Sequence, residues 1–134
     1  MRYISFCSGV EATSLAFEPI GLTPVAFCEI EPYPCAVLKA RWPQIPNLGD
    51  LTKVRIQENG DIKYERNGAV RIIPNDGRDI DVCVGGIPCQ SFSIAGKREG
   101  LCGKSGLVVD YIARVYELAL PIVEELARTV AVGA

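Results

Sequence analysis

The sequence predicts an α/β fold built on a mostly parallel sheet, with a hairpin inserted around 57–74. Three observations point there. Short apolar runs alternate with segments of helical spacing in the first half. Asn-Gly and Asp-Gly pairs cluster in the middle. A buried-strand pattern then returns and leads into a third helical stretch. Strands that alternate with helices of about ten residues form βαβ units and a parallel sheet.

Each element follows in order. "RYISFC" (2–7) is a short apolar strand that runs into "SG", a turn. In "VEATSLAFEPIG" (10–21), Val10, Leu15, Ala16 and Phe17 share a helical face, and Pro19 and Gly21 stop the helix. "TPVAFCEI" (23–30) is a second strand that ends in acids. "PYPCAVLKARWP" (32–43) is a second helix with proline in its first turn, where the missing N–H costs nothing. "IPNLGDL" (45–51) is a short third strand or an extended link.

"DIKYE" and "AVRII" flank Arg66-Asn67-Gly68, and Asn-Gly tolerates the positive φ of a tight hairpin turn. "DIDVCVGG" (79–86) is the next buried strand. A polar loop follows to Ser105. Leu107, Val108, Tyr111, Ile112, Val115 and Leu118 then recur at helical spacing up to Ala119, and Pro121 interrupts.

Composition bounds the rest. The chain has 134 residues, the size of one domain. It is 49% hydrophobic and 22% charged, the balance of a globular chain and not a disordered one. No apolar run reaches about 18 residues, so no transmembrane helix is expected. The start meets Gly and Glu too early for a signal peptide. The net charge is −2, so no basic patch announces nucleic acid. There is no histidine, which removes Ser-His and Cys-His catalysis and most zinc chemistry; no metal site is expected. The six cysteines form no CxxC pair, which reads as a reduced, intracellular chain without disulfides.

Four stretches carry candidate chemistry. "FCSGVEA" (6–12) is a glycine turn between strand and helix, where α/β folds present backbone N–H groups to cofactors. An ordinary βα turn explains it as well. Glu29 and Glu31 follow the second strand. An acid about 20 residues after the glycine turn is placed for ribose hydroxyls; a solvated strand end explains it equally. Asp50, in "GD", is placed for an adenine amino group or is simply a turn aspartate.

Cys89, in "VGGIPCQSFS", sits at the same predicted sheet edge. It is either a small buried apolar residue or a nucleophile activated by nearby Lys97 and Arg98. Pro88 fixes the backbone beside it.

"DVCVGGIPCQSFSIAGKREGL" resembles motif IV of the DNA cytosine-5 methyltransferases. "ISFCSGVEATSLAFEPIG" is similar to the family's motif I, in the form found in phage and prophage members. "VAFCEIEPYPCAVLKARWP" resembles motif II, and "NLGDLTK" resembles motif III.

The resemblance implies a partial Rossmann-like S-adenosylmethionine-dependent fold and methyl transfer to cytosine C5 in double-stranded DNA, as in restriction-modification. It implies a cytoplasmic setting in a bacterial or phage-infected cell. Cys89 would be the catalytic thiol. Phe6, Cys7, Ser8, Gly9, Glu29, Ile30, Asp50, Leu51 and Pro88 would surround the cofactor. Gln90, Ser91, Ser93, Lys97 and Arg98 would be the DNA-contact candidates.

The chain also departs from the family. Aligned on Gly9, Cys7 takes the place of an aromatic, and Phe6 falls one residue earlier. Glu11 stands where a glycine is common. The Glu-Asn-Val motif, whose glutamate contacts cytosine N3, is not in the sequence, nor is a target-recognition domain. The expectation is therefore a single, truncated catalytic domain over 1–134 that is inactive alone. A split-enzyme subunit, which would need a second polypeptide, or a dimerising interaction protein is the alternative.

Overall fold

The computed structural model describes residues 1–78, 80–86 and 110–119. The central sheet is β1 (Arg2–Phe6), β2 (Thr23–Cys28) and β6 (Val82–Gly85), in the order β2-β1-β6 with both pairings parallel. A single parallel bridge joins Phe27 to Asn47 on the outer side of β2. The predicted third strand is thus one residue pair deep. It still extends the order to segment 46–48, β2, β1, β6, the strand sequence of a doubly wound nucleotide-binding half.

Two helices form where the sequence places them, but the apolar face read for the first is not buried: Val10 precedes the helix, Val10 and Leu15 are 48% and 50% exposed, and Ser14 is the residue it buries. α1 (Ala12–Phe17) runs into a single 3-10 turn, Glu18–Ile20, which contains Pro19 and ends at Gly21 with φ 81°. α2 (Pro32–Arg41) starts on proline and ends before Pro43. Alternation along β1 and β2 sorts their side chains to two faces. Tyr3 packs edge-on to Phe17 of α1, and Phe27 packs edge-on to Trp42 beyond α2. Ile4, Phe6, Ala26 and Cys28 point the other way, into a core shared with Leu48, Leu51, Val54, Ile56, Ile62 and Tyr64.

The inserted segment is larger than a hairpin. β4 (Ile62–Arg66) and β5 (Ala69–Ile73) pair through an Asn67-Gly68 turn with φ values of 53° and 74°. β3 (Val54–Ile56) joins them, giving an antiparallel meander in the order β3-β4-β5. The hairpin expected around 57–74 is therefore the outer part of a three-stranded sheet. Three residues are too few to show an alternation, so β3 was hidden in the sequence.

α3 covers 110–119. It closes the free edge of β3 with side chains instead of a strand. Arg114 Nη1 donates to the Val54 carbonyl at 2.6 Å, and the Ile56 N–H donates to Glu117 Oε2 at 2.8 Å. Arg114 and Glu117 are themselves paired at 2.8 Å. An open strand edge invites association, and this arrangement blocks it. Among the described residues, no helix is long and apolar enough to cross a membrane.

Candidate cofactor-binding edge

The first βα turn sits at the carboxyl ends of the strands. Gly9 has φ +57°, with no heavy atom within 4 Å of where a Cβ would stand. Its glycine therefore answers to backbone conformation and not to crowding. Cys7 and Glu11 also adopt positive φ, at 51° and 61°. Such backbone costs a non-glycine residue roughly 1–3 kcal/mol, and it collects at functional turns.

Glu11 holds a left-handed backbone that glycine adopts without strain. Its carboxylate compensates from inside. Oε2 accepts from Ser5 Oγ at 2.7 Å, Oε1 accepts from Ser14 Oγ at 3.3 Å, and Ser14 bonds in turn to the Tyr3 hydroxyl. Burial pushes the Glu11 carboxyl pKa up, partly offset by these hydroxyls.

Glu29 ties the turn to the second strand. Oε2 accepts from the Gly9 N–H at 2.7 Å; Oε1 accepts from the N–H groups of Ile30 and Glu31 at 2.7 and 2.8 Å. It lies just ahead of α2, where the helix dipole favours an anion. Ser8 adds a second tie: its N–H donates to the Cys28 carbonyl and its Oγ accepts from the Cys28 N–H, both at 3.1 Å.

Asn47 organises the next turn. Its Oδ1 accepts from the N–H groups of Glu29 and Gly49, and its Nδ2 donates to Cys35 Sγ at 3.2 Å. Asp50 follows, with Oδ1 accepting from Thr52 N–H at 2.9 Å and Thr52 Oγ1 at 2.8 Å.

Glu29, Ile30, Gly49 and Asp50 thus line one cleft of about 230 Å³, with Arg66 and Asn67 of the hairpin on its rim. Ile30 is 63% exposed and Glu29 only 9%. Not every predicted residue reaches this edge. Phe6 is fully buried and packs edge-on to Tyr111 at 5.9 Å; its ring belongs to the core. Leu51 is buried too. Cys7 is the half-exposed side chain at the turn, its thiol pKa raised by burial and by the charges of Glu29 and Asp50.

β6 ends beside this turn. The Gly86 N–H donates to the Phe6 carbonyl at 3.3 Å, and a Cβ built on Gly86 would lie 3.7 Å from the Cys7 carbonyl oxygen. Pro88, Cys89, Gln90, Ser91, Ser93, Lys97 and Arg98 lie outside the described residues. Sequence reading did not single out Asn47 or Arg66. A lone Asn in an apolar link gives no signal, and Arg66 looks like an ordinary strand end before a turn.

A parallel sheet with a glycine turn after β1, an acid after β2 and a second acid after the next segment defines a methyltransferase-like Rossmann domain. Comparison with known proteins makes this specific. The chain belongs to the C-5 cytosine-specific DNA methylase family, whose profile matches residues 1–121. It is 45% identical to a DNA N-6-adenine-methyltransferase of Escherichia phage P1, over 82% of this chain and 13% of that protein. It is 34% identical to the type II methyltransferase M.AquIA of Picosynechococcus sp., over 90% of this chain and 45% of the relative. With M.XorII of Xanthomonas oryzae pv. oryzae the identity is 35%, over 86% and 25%. The chain thus spans less than half the length of each of these relatives.

Proposed function

We propose that this chain supplies the S-adenosylmethionine site and the attacking thiol of a DNA cytosine-5 methyltransferase. The observation that carries the reading is the shared cleft of Glu29 and Asp50, at the edge where β1, β2 and β6 all end. The donor set suits the cofactor's nucleoside. A carboxylate held by three backbone N–H groups still has lone pairs for ribose hydroxyls. Asp50 keeps Oδ2 free of the Thr52 contacts and able to accept from an amino group. Exposed Ile30 offers an apolar face. When bound, the cofactor supplies the methyl group that cytosine C5 takes up.

The chain's own contribution to the chemistry is Cys89. Cytosine C5 is a poor nucleophile. A Cys89 thiolate adding to C6 forms an S–C6 bond and moves electron density to C5. Loss of the C5 proton afterwards breaks the S–C6 bond and returns the thiolate. The base must leave the stack for this. Chain connectivity supports the assignment: Cys89 is three positions after Gly86, a span of at most about 11 Å.

Base activation through a glutamate of the Glu-Asn-Val type is not encoded in these residues. The chain is therefore expected to bind cofactor without turning over on its own. Calorimetric titration with S-adenosylmethionine tests the site, and no binding at millimolar concentration overturns it. Cys89-dependent methyl transfer to duplex DNA by these residues alone would overturn that expectation.

The 45% identity to a relative named for N6-adenine methylation favours a second reading. An adenine amine attacks a methyl group directly and needs no thiol adduct. The two readings separate on the modified base, 5-methylcytosine or N6-methyladenine, and on dependence on Cys89.

A further inference from the structure

The inserted sheet reaches back to the cofactor edge. The β4 end of its β4–β5 turn is tied to the cleft by two contacts. The Arg66 guanidinium donates to the carbonyl of Asn47, the residue that also orders Glu29 and Gly49. Lys53 Nζ pairs with Glu65 Oε1 at 2.8 Å on the neighbouring rim.

The cleft carries the carboxylates of Glu29, Asp50 and Glu65 against the cations of Lys53 and Arg66. That balance opposes a phosphate, which would face Glu29 and Asp50. It suits a flat, uncharged ring. Among the described residues lining the cleft none is aromatic, and Phe6 is in the core. A guanidinium is planar and weakly hydrated, and it stacks on aromatic faces as an ammonium does not.

We propose that Arg66, together with Ile30, bears on the adenine ring of the bound cofactor, so that the inserted hairpin serves as a purine-selecting wall of the site. This rests on the cofactor reading above. It adds to that reading a residue from outside the four motif stretches.

Titration calorimetry with S-adenosylhomocysteine and with its uracil-base analogue tests it, using wild type, Arg66→Met, Arg66→Lys and Glu29→Gln. Stacking against a base is worth about a tenfold change in affinity. Arg66→Met is therefore expected to bind the adenine compound about tenfold more weakly and to narrow the preference for adenine over uracil by a similar factor. Arg66→Lys should follow it. Losing the Asn47 contact alone would weaken both compounds equally; that result, or wild-type affinity in Arg66→Met, overturns the proposal. If Glu29→Gln binds weakly while Arg66→Met matches wild type, the cofactor reading stands and only the purine wall falls. If wild type binds neither compound, both fall.

Discussion

The backbone N–H of Gly9 donates to Glu29 Oε2 across 2.7 Å, twenty positions along the chain. The first βα turn and the acid after β2 are therefore one unit. Glu29 Oε1 takes two more N–H groups. A glutamine here turns an NH₂ toward one of those donors. Glu29→Gln should lower unfolding free energy by about 1–3 kcal/mol, the cost of a buried donor left without an acceptor. Urea unfolding measures it. The same variant should bind S-adenosylhomocysteine more weakly under folded conditions.

Glu11 makes stability depend on pH in a definite direction. Burial raises its carboxyl pKa from the ordinary value of 4.5. The folded chain then holds this proton more tightly than the unfolded chain does. The contribution is fully present below about pH 4.5, the unfolded value, and is lost as pH rises through the raised folded pKa. Glu11→Gln keeps an acceptor for Ser5 and carries no charge. Stability of wild type should fall relative to Glu11→Gln across that window, in chemical denaturation at a series of pH values. Parallel profiles would show that Glu11 is ionised without cost.

Much of the fold was legible in local patterns. Pro19, Gly21, Pro32 and Pro43 punctuate two helices, and Asn67-Gly68 marks a hairpin. Glu29 and Asp50 were legible as acids after strand ends. What escaped depends on distant partners. β3 exists because β4 pairs with one side and Arg114 and Glu117, some 60 residues away, cap the other. Phe6 illustrates a different limit. It alternates with Ile4 onto the core face, so "RYISFC" contained the reason why its ring is not at the cofactor edge.

Thiol chemistry offers a direct check on the burial pattern. Desolvation pushes the Cys83 thiol up to about 11 and the Cys28 thiol higher still. Thiolate is the reactive form. Neither residue should be alkylated by iodoacetamide at pH 8 in the folded chain, and both should label in denaturant. Peptide mass mapping reads this. If Cys89 is the attacking thiol, it should label under native conditions well before Cys28 and Cys83. Equal labelling of Cys28 and Cys89 would contradict both the core and the proposed nucleophile.

α3 supports the site by packing Tyr111 against Gly85. A Cβ built on Gly85 would lie 2.6 Å from Tyr111 Cε2, well inside contact distance. That ring is not free to swing away, because it packs edge-on to Phe6. Phe6 in turn sits at the end of β1, paired in register with Gly85 itself. Glycine at 85 thus lets the helix press against the point where β1 and β6 both deliver the chain to the cofactor edge. Gly85→Ala must displace Tyr111 or spread the two strands, at a cost of about 1–3 kcal/mol for an overpacked core. Trimming the ring should offset part of this: Gly85→Ala with Tyr111→Leu is expected to be more stable than the sum of the single changes predicts. Urea midpoints of the four proteins measure the coupling. Strict additivity would mean that α3 does not bear on β6 in solution.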